Sequence, residues 1–297
     1  MLIMPYVKKC TICNSKLDTH ITPWIYKCPS CGHFISTLAP HIEGKDENFR
    51  ELDNKVGALN FLDTIRTQNF NLILNSLSNF YDPKGKLLLD VGCAGGLFLS
   101  VCKNHAIEAV GIEPNETLFN SAINNKLNVR KGYFPSALAY DEKFDIITFN
   151  DVLEHIKDIQ EIIQNCSTYL KESGVLIICV PNSKGFIFCV TTVLARLGFL
   201  SPYERLWQKQ FFTPHLHYFS HNTLNKLCIS HGFREELRLN LPSVSIVGLW
   251  SRLKIDGTST FIGRIISYLC ILIAYPLLNI LPSDSIVHIY RNNAIPK

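Results

Sequence analysis

Residues 87–100 read LLLDVGCAGGLFLS, an apolar run ending in Asp90 that turns through Gly92, Gly95 and Gly96 into an amphipathic stretch. An apolar strand that breaks on small residues and resumes at helical spacing is a strand–turn–helix elbow. Small residues there let the backbone approach a ligand, and the helix start beyond offers unpaired N–H groups. The next apolar run, 107–112, ends in Glu113. An acid at that spacing suits a ribose diol. A dinucleotide G-x-G-x-x-G beginning at Gly92 would need glycine at positions 94 and 97, where the chain has Ala94 and Leu97.

Outward from the elbow, strands and helices alternate. Strands are expected at 86–91, 107–112, near 129, at 144–149 and at 174–180, with helices at 95–105, 115–125 and 158–170. That alternation predicts a parallel sheet covered on both faces, its ligand at the C-terminal strand edge. A helix is expected within 51–80, another over 220–231, and strands over 233–239 and 286–290.

With FDIITFNDVLEHI at 144–156, these residues resemble class I S-adenosylmethionine (SAM) dependent methyltransferases. The resemblance implies a Rossmann-like, doubly wound α/β sheet. It also implies that Asp90, Gly92, Cys93, Ala94 and Gly96 lie under the cofactor, with Glu113 on the ribose and Asp151 beside the transferred methyl. Ala94 occupies the usual middle glycine, which predicts a slightly tighter pocket. Many members carry an acid for the adenine amine where this chain reads Arg130, Lys131, Gly132, Tyr133 and Phe134. Adenine is therefore expected on backbone groups and an aromatic face.

The 297 residues suffice for one large core and a small appended module; 47% are apolar and the formal charge is only +4. The N-terminal stretch lacks the pattern of a secretion signal, so the expectation is a cytoplasmic, reducing setting. Of eleven cysteines, four stand as Cys10-x-x-Cys13 and Cys28-x-x-Cys31, the spacing of two knuckles closing one tetrahedral Zn²⁺. Four thiolates leave no open coordination position, so this zinc would be structural. His20 and His33 are expected beside the site or exposed to solvent. The resulting organisation is a zinc ribbon at 1–40, a linker and capping helix at 41–80, and a SAM-binding methyltransferase domain at 81–297.

Two insertions stand out. Residues 181–219 carry many aromatics and are expected to form a lid and substrate pocket over the site. Residues 258–282 are apolar, flanked by Arg252, Lys254 and Arg264, and interrupted by Pro276. They suit peripheral contact at the inner membrane face or burial against protein better than a span.

Methyl transfer is an in-line displacement that needs positioning and, at oxygen or nitrogen, a proton acceptor. Asp151, His155 and His217 are the candidate catalytic residues. Asp151-x-x-Glu154-His155 also resembles a Glu-x-x-Glu-His metal motif of some O-methyltransferases, one methylene short, and the preferred reading is that Glu154 and His155 orient the next helix. The expected function is methylation of a small acceptor, led by a sugar or lipid-linked intermediate of surface polysaccharide synthesis. The alternatives are a quinone-like lipid, a tRNA or rRNA, and a non-catalytic scaffold. Lys8, Lys9, Lys16 and Lys27 make only a modest basic patch, so nucleic acid is not favoured. Oligomeric state stays open.

Overall fold

The computed structural model describes residues 9–39, 56–242 and 280–293, with scattered helical positions between 250 and 275. The 41–50 part of the linker, Arg252, Lys254, Arg264, Pro276 and most of the apolar 258–282 segment lie outside the described residues. Among the described residues no helix is long and apolar enough to cross a membrane.

The expected alternation is realised as a seven-stranded sheet. Its parallel part comprises β4 (Leu87–Val91), β5 (Glu108–Glu113), β6 (Val129–Lys131), β7 (Phe144–Asn150) and β8 (Leu170–Pro181). The antiparallel edge is β10 (Phe233–Leu241) and β11 (Ser285–Asn292), giving the order β10-β11-β8-β7-β4-β5-β6. The order reverses at β4, so the crevice at the C-terminal ends of β4 and β7 is where a ligand belongs. Strand interiors such as Ile146, Ile147 and Phe149, or Val175 to Ile178, are continuously apolar and fully buried, as strands covered on both faces require.

Helices α1 (Val56–Leu77), α2 (Leu97–Asn104), α3 (Glu116–Asn124) and α4 (Ile159–Tyr169) supply that cover. Asn115 caps α3 through its side chain, which accepts the Leu118 N–H at 3.0 Å. Gly96 leads into α2 at φ +85 with no side-chain cap. The first turn of α2 therefore starts open toward the crevice.

Before the sheet lies a hairpin of β1 (Asp18–Thr19), β2 (Ile25–Lys27) and β3 (Phe34–Ser36). It does not stand apart. In the 181–219 insertion, after α5 (Phe186–Arg196) and α6 (Leu200–Leu206), a two-residue strand β9 (His217–Tyr218) pairs antiparallel with β3, Phe34 opposite Tyr218 and Ile35 opposite His217. The aromatics expected to line a substrate pocket mostly seal this junction. Phe188, Tyr203 and Trp207 are buried against Trp24 and Phe34, while Phe199 and Phe211 are exposed. Helix α7 (His221–Ile229) then starts at Ser220, whose hydroxyl and Thr223 form a reciprocal cap.

Candidate active site

Two cavities flank the 92–96 loop at the end of β4, and Gly92, Ala94, Leu118 and Asp151 border both. The first, 380 Å³, is mainly apolar, lined by Ile112, Pro114, Phe134, Val152, Ile156 and Phe212 among others, with Glu113, His155 and Thr213 at its walls. The second, 470 Å³, is more polar and carries Asp63, Arg66, Ser100, Thr117, Ser121 and Asn150. Together they offer a long cleft with an apolar and a charged end.

Local geometry explains the residue types. Gly92 sits at φ +71, and a Cβ there would lie 2.7 Å from a Val152 methyl. At Gly96, φ +85, a Cβ would lie 2.2 Å from Leu127 Cδ1. Ala94 also takes a left-handed backbone, φ +48. That conformation costs an L residue about 1–2 kcal/mol, so the middle position favours glycine for its backbone as much as for space.

Asp90 is buried beneath the loop and borders the second cavity. Its Oδ1 accepts from Thr148 Oγ1 at 2.7 Å and from Asn150 Nδ2 at 3.0 Å. Burial pushes its carboxyl up to about 7 in spite of those bonds. Glu113 is pinned through both oxygens: Oε2 accepts the Ala94 N–H at 2.9 Å and Oε1 the Asn115 N–H at 2.7 Å. Burial raises this carboxyl too. The side chain thereby ties the β4 loop to the β5 loop and keeps one face of the carboxylate toward the first cavity. Cys93 points away, against Gly111 and the sheet, so only its backbone faces the cleft.

Of the segment expected beside adenine, Gly132, Tyr133 and Phe134 border the first cavity. Arg130 instead pairs with Glu142 at 2.7 Å and Lys131 with Glu116 at 3.3 Å. Both basic groups are thus occupied elsewhere.

After β7, Asp151 takes a left-handed backbone at φ +55, which turns the chain into the 3₁₀ turn Leu153–His155. His155 borders the first cavity, and its Nδ1 lies 3.0 Å from the Pro214 carbonyl. A carbonyl only accepts, so Nδ1 carries the proton and Nε2 keeps its lone pair. Burial holds His155 below the usual histidine range, partly offset by the Pro214 carbonyl and Asp151. Its Nε2 is 3.8 Å from Glu154 Oε1, and burial drives that carboxyl well above its usual range. Burial thus pushes a carboxyl and an imidazole, side by side, each toward its neutral form.

His217, expected as a catalytic group, does not reach the cleft. It is buried with one ring nitrogen 3.1 Å from His33 Nε2 and the other 3.4 Å from the Lys157 carbonyl. The carbonyl fixes the proton on His217 Nε2, so His33 donates to Nδ1. Both nitrogens are used, because β9 pairs with the hairpin and turns this ring toward it. His33 is likewise fully buried rather than exposed.

Among the described residues, two clusters could hold metal. Sγ of Cys10 lies 3.6 Å from that of Cys31, and Sγ of Cys13 lies 3.4 Å from that of Cys28, none of the four being in a disulfide. A tetrahedral Zn²⁺ with bonds of about 2.3 Å needs sulfur–sulfur edges of about 3.8 Å, so the set fits. The two knuckles are the same turn. Cys10 N donates to Ser15 O and Cys28 N to His33 O, while Asn14 and Gly32 both take positive φ. In the second cluster, ligand atoms of Glu154, His155 and His215 lie within 4.8 Å of one another. Glu154 Oε2 and His215 Nδ1 are buried without a partner, so this donor set also fits a divalent cation.

Sequence reasoning missed Arg66 and Asp63, which α1 brings to the polar cavity. The signal was present as a basic and an acidic residue one turn apart in a helix preceding the elbow.

Comparison with known proteins agrees with this geometry. Residues 65–236 match the methyltransferase-domain family Methyltransf_23. The chain is 34% identical over 122 residues to a ubiquinone biosynthesis O-methyltransferase of Coxiella burnetii, covering 39% of this chain and 52% of that protein. Against the enzyme of the same name from Rickettsia bellii it is 27% identical over 135 residues, covering 43% and 56%. The chain thus spans about half the length of these curated relatives. Its fold is similar to that of the plantazolicin methyltransferase BpumL in complex with SAH, with a TM-score of 0.53, 14% identity and coverage of 84% and 92%. It is also similar to that of a SAM-dependent methyltransferase from Thermotoga maritima, with a TM-score of 0.52, 16% identity and coverage of 83% and 96%. The order of the sheet, the elbow, the acid at the end of the second strand and the matched residues have one meaning: the chain belongs to the class I SAM-dependent methyltransferases.

Proposed function

We propose that the protein methylates a hydroxyl group on a small, ring-bearing acceptor of the quinone-like phenol kind, with His155 as general base. The observation that carries this reading is the His155 geometry: Nδ1 is committed to the Pro214 carbonyl, which leaves Nε2 as the acceptor of a ring that borders the cavity. The names of the curated relatives support the same reaction class.

SAM supplies an electrophilic methyl on a sulfonium and departs as the neutral thioether. Glu113 would hold the ribose hydroxyls, and Pro114 and Phe134 would enclose the adenine. Arg66 would face the methionine carboxylate across the polar cavity, and Asp151 would border the sulfonium. His155 Nε2 accepts the hydroxyl proton as the acceptor oxygen forms its bond to the methyl carbon, so the proton ends on the ring and the positive charge leaves sulfur. Glu154, His155 and His215 could instead hold a divalent cation, whose chemistry would be to acidify the hydroxyl. Cys10, Cys13, Cys28 and Cys31 would hold structural Zn²⁺.

Phe212, Val152 and Ile156 present ring and methyl faces near His155, which suit an aromatic acceptor better than a polyhydroxylated sugar. The surface-polysaccharide acceptor expected from the sequence therefore gains no support. The test is transfer of labelled methyl from SAM to dihydroxybenzoates with and without an isoprenoid tail, against nucleotide sugars. Ether product from the phenols that disappears in His155→Ala is expected. Label entering only the sugars overturns the acceptor class.

A further inference from the structure

The cysteine hairpin contributes no residue to either cavity, yet it grips the segment that orients His155. Ser36, fully buried at the end of β3, donates its hydroxyl to the His215 carbonyl at 2.7 Å and its N–H to the Leu216 carbonyl at 2.8 Å. Leu216 N–H in turn donates to the Glu154 carbonyl at 2.7 Å. The neighbouring Pro214 carbonyl holds His155 Nδ1. Two residues beyond His215, His217 is pinned between His33 and the Lys157 carbonyl, and the His33 carbonyl accepts from Cys28 N–H at 2.8 Å. The first knuckle touches the start of α4, Gln160 Nε2 donating to the Thr11 carbonyl.

We propose that Ser36 is a positioning residue for methyl transfer, acting from the metal-closed hairpin through residues 214–217 to fix the His155 tautomer. The hairpin strands are two or three residues long. Sheets this small do not hold their register in water without a staple, and metal binding free energy in such modules is folding free energy. Zn²⁺ held by Cys10, Cys13, Cys28 and Cys31 would therefore fix the edge of β3, which pairs with β9, and the turn before β9 carries the Pro214 carbonyl that holds His155 Nδ1. The Glu113 bonds that tie the β4 and β5 loops do not involve the hairpin, so SAM affinity should depend on it far less than the His155 ring does.

The inference rests on reading His155 as the base, but its test does not need the acceptor. In full-length ¹⁵N-labelled protein loaded with zinc, the long-range ¹H–¹⁵N imidazole spectrum should show His155 as the neutral Nδ1–H form, assigned by its disappearance in His155→Gln. In Ser36→Ala, with zinc still bound one per chain, that pattern should shift toward Nε2–H or an exchange average while the SAM dissociation constant stays within twofold. Zinc extraction with a mercurial and chelator should cause the same shift, and turnover of a phenolic acceptor should fall at least tenfold. An unchanged His155 pattern in both preparations overturns the proposal. So does a SAM affinity that falls in step with the His155 signal, because the hairpin would then support the whole fold rather than one ring. A tautomer shift in Ser36→Ala with turnover untouched in both Ser36→Ala and His155→Gln overturns only the reading of His155 as base.

Discussion

Replacing Glu113 by Gln changes one oxygen for an NH₂ and removes no volume, yet the surroundings make it a severe test. Both carboxylate oxygens accept backbone N–H groups, from Ala94 at 2.9 Å and Asn115 at 2.7 Å. An amide has one acceptor end, so its NH₂ must face one of those donors. One charge-assisted bond is lost, worth about 1.5–3 kcal/mol, and the carboxylate face offered to the ribose hydroxyls loses its charge. Because the two N–H groups belong to the β4 and β5 loops, losing either bond also loosens the floor of both cavities. The expected rise in the SAM dissociation constant is about tenfold to a hundredfold, with the same factor for the demethylated product, since both carry the ribose. Isothermal titration of both ligands against wild type and Glu113→Gln measures it. The lost bond should also lower the melting temperature of the unliganded protein by several degrees while leaving it folded. Affinities within twofold of wild type would refute the assignment of Glu113 to the ribose.

Asp90 gives a pH prediction. Its folded value of about 7 lies above its ordinary 3.8, so the folded state holds the proton more tightly. The group's contribution to stability is full below about pH 4 and is lost as pH rises toward 7, a slope of about 4 kcal/mol at most. Asp90→Asn keeps the acceptor for Thr148 and Asn150 and removes the slope, so the variant should gain on wild type in denaturant melts from pH 4 to 8; a constant difference across that range refutes it. His155→Ala should lower kcat by about a hundredfold, the scale of a lost general base, with SAM affinity unchanged. The acid limb of the wild-type kcat profile should fall below the ordinary histidine value, because burial depresses His155 and protonation removes the base. A limb at or above that value contradicts the neutral-imidazole reading. Gly96→Ala should destabilise by about 1–3 kcal/mol in thermal melts, from a left-handed backbone and the approach to Leu127, and a neutral substitution would show that the loop is not held as described.

The catalytic half of the fold was legible because its signals are local. The elbow, the acid at the end of β5 and the alternation around them are read within windows of a few residues, and the four cysteines carry their spacing with them. What escaped depends on contacts between distant segments. Strand β9 is two residues long and becomes a strand only by pairing with β3, more than 180 positions earlier, and no periodicity announces it. The aromatics of 181–219 pointed to a lid and substrate pocket, and nothing in their local pattern says what they pack against. Phe188, Tyr203 and Trp207 pack on Trp24 and Phe34 while Phe212 borders the first cavity, and the same junction turns His217 away from the cleft. Arg66 reaches the polar cavity because α1 crosses the sheet there, a tertiary fact that a helical pattern cannot carry.

The most direct measurement is a crystal structure of the zinc-loaded protein with the demethylated cofactor product bound. Ribose hydroxyls within hydrogen-bond distance of Glu113, the carboxylate at Arg66 and the thioether sulfur facing the His155 side of the cleft are the predicted result. A ligand seated with its sulfur turned away from His155, or with its ribose clear of Glu113, would contradict the account.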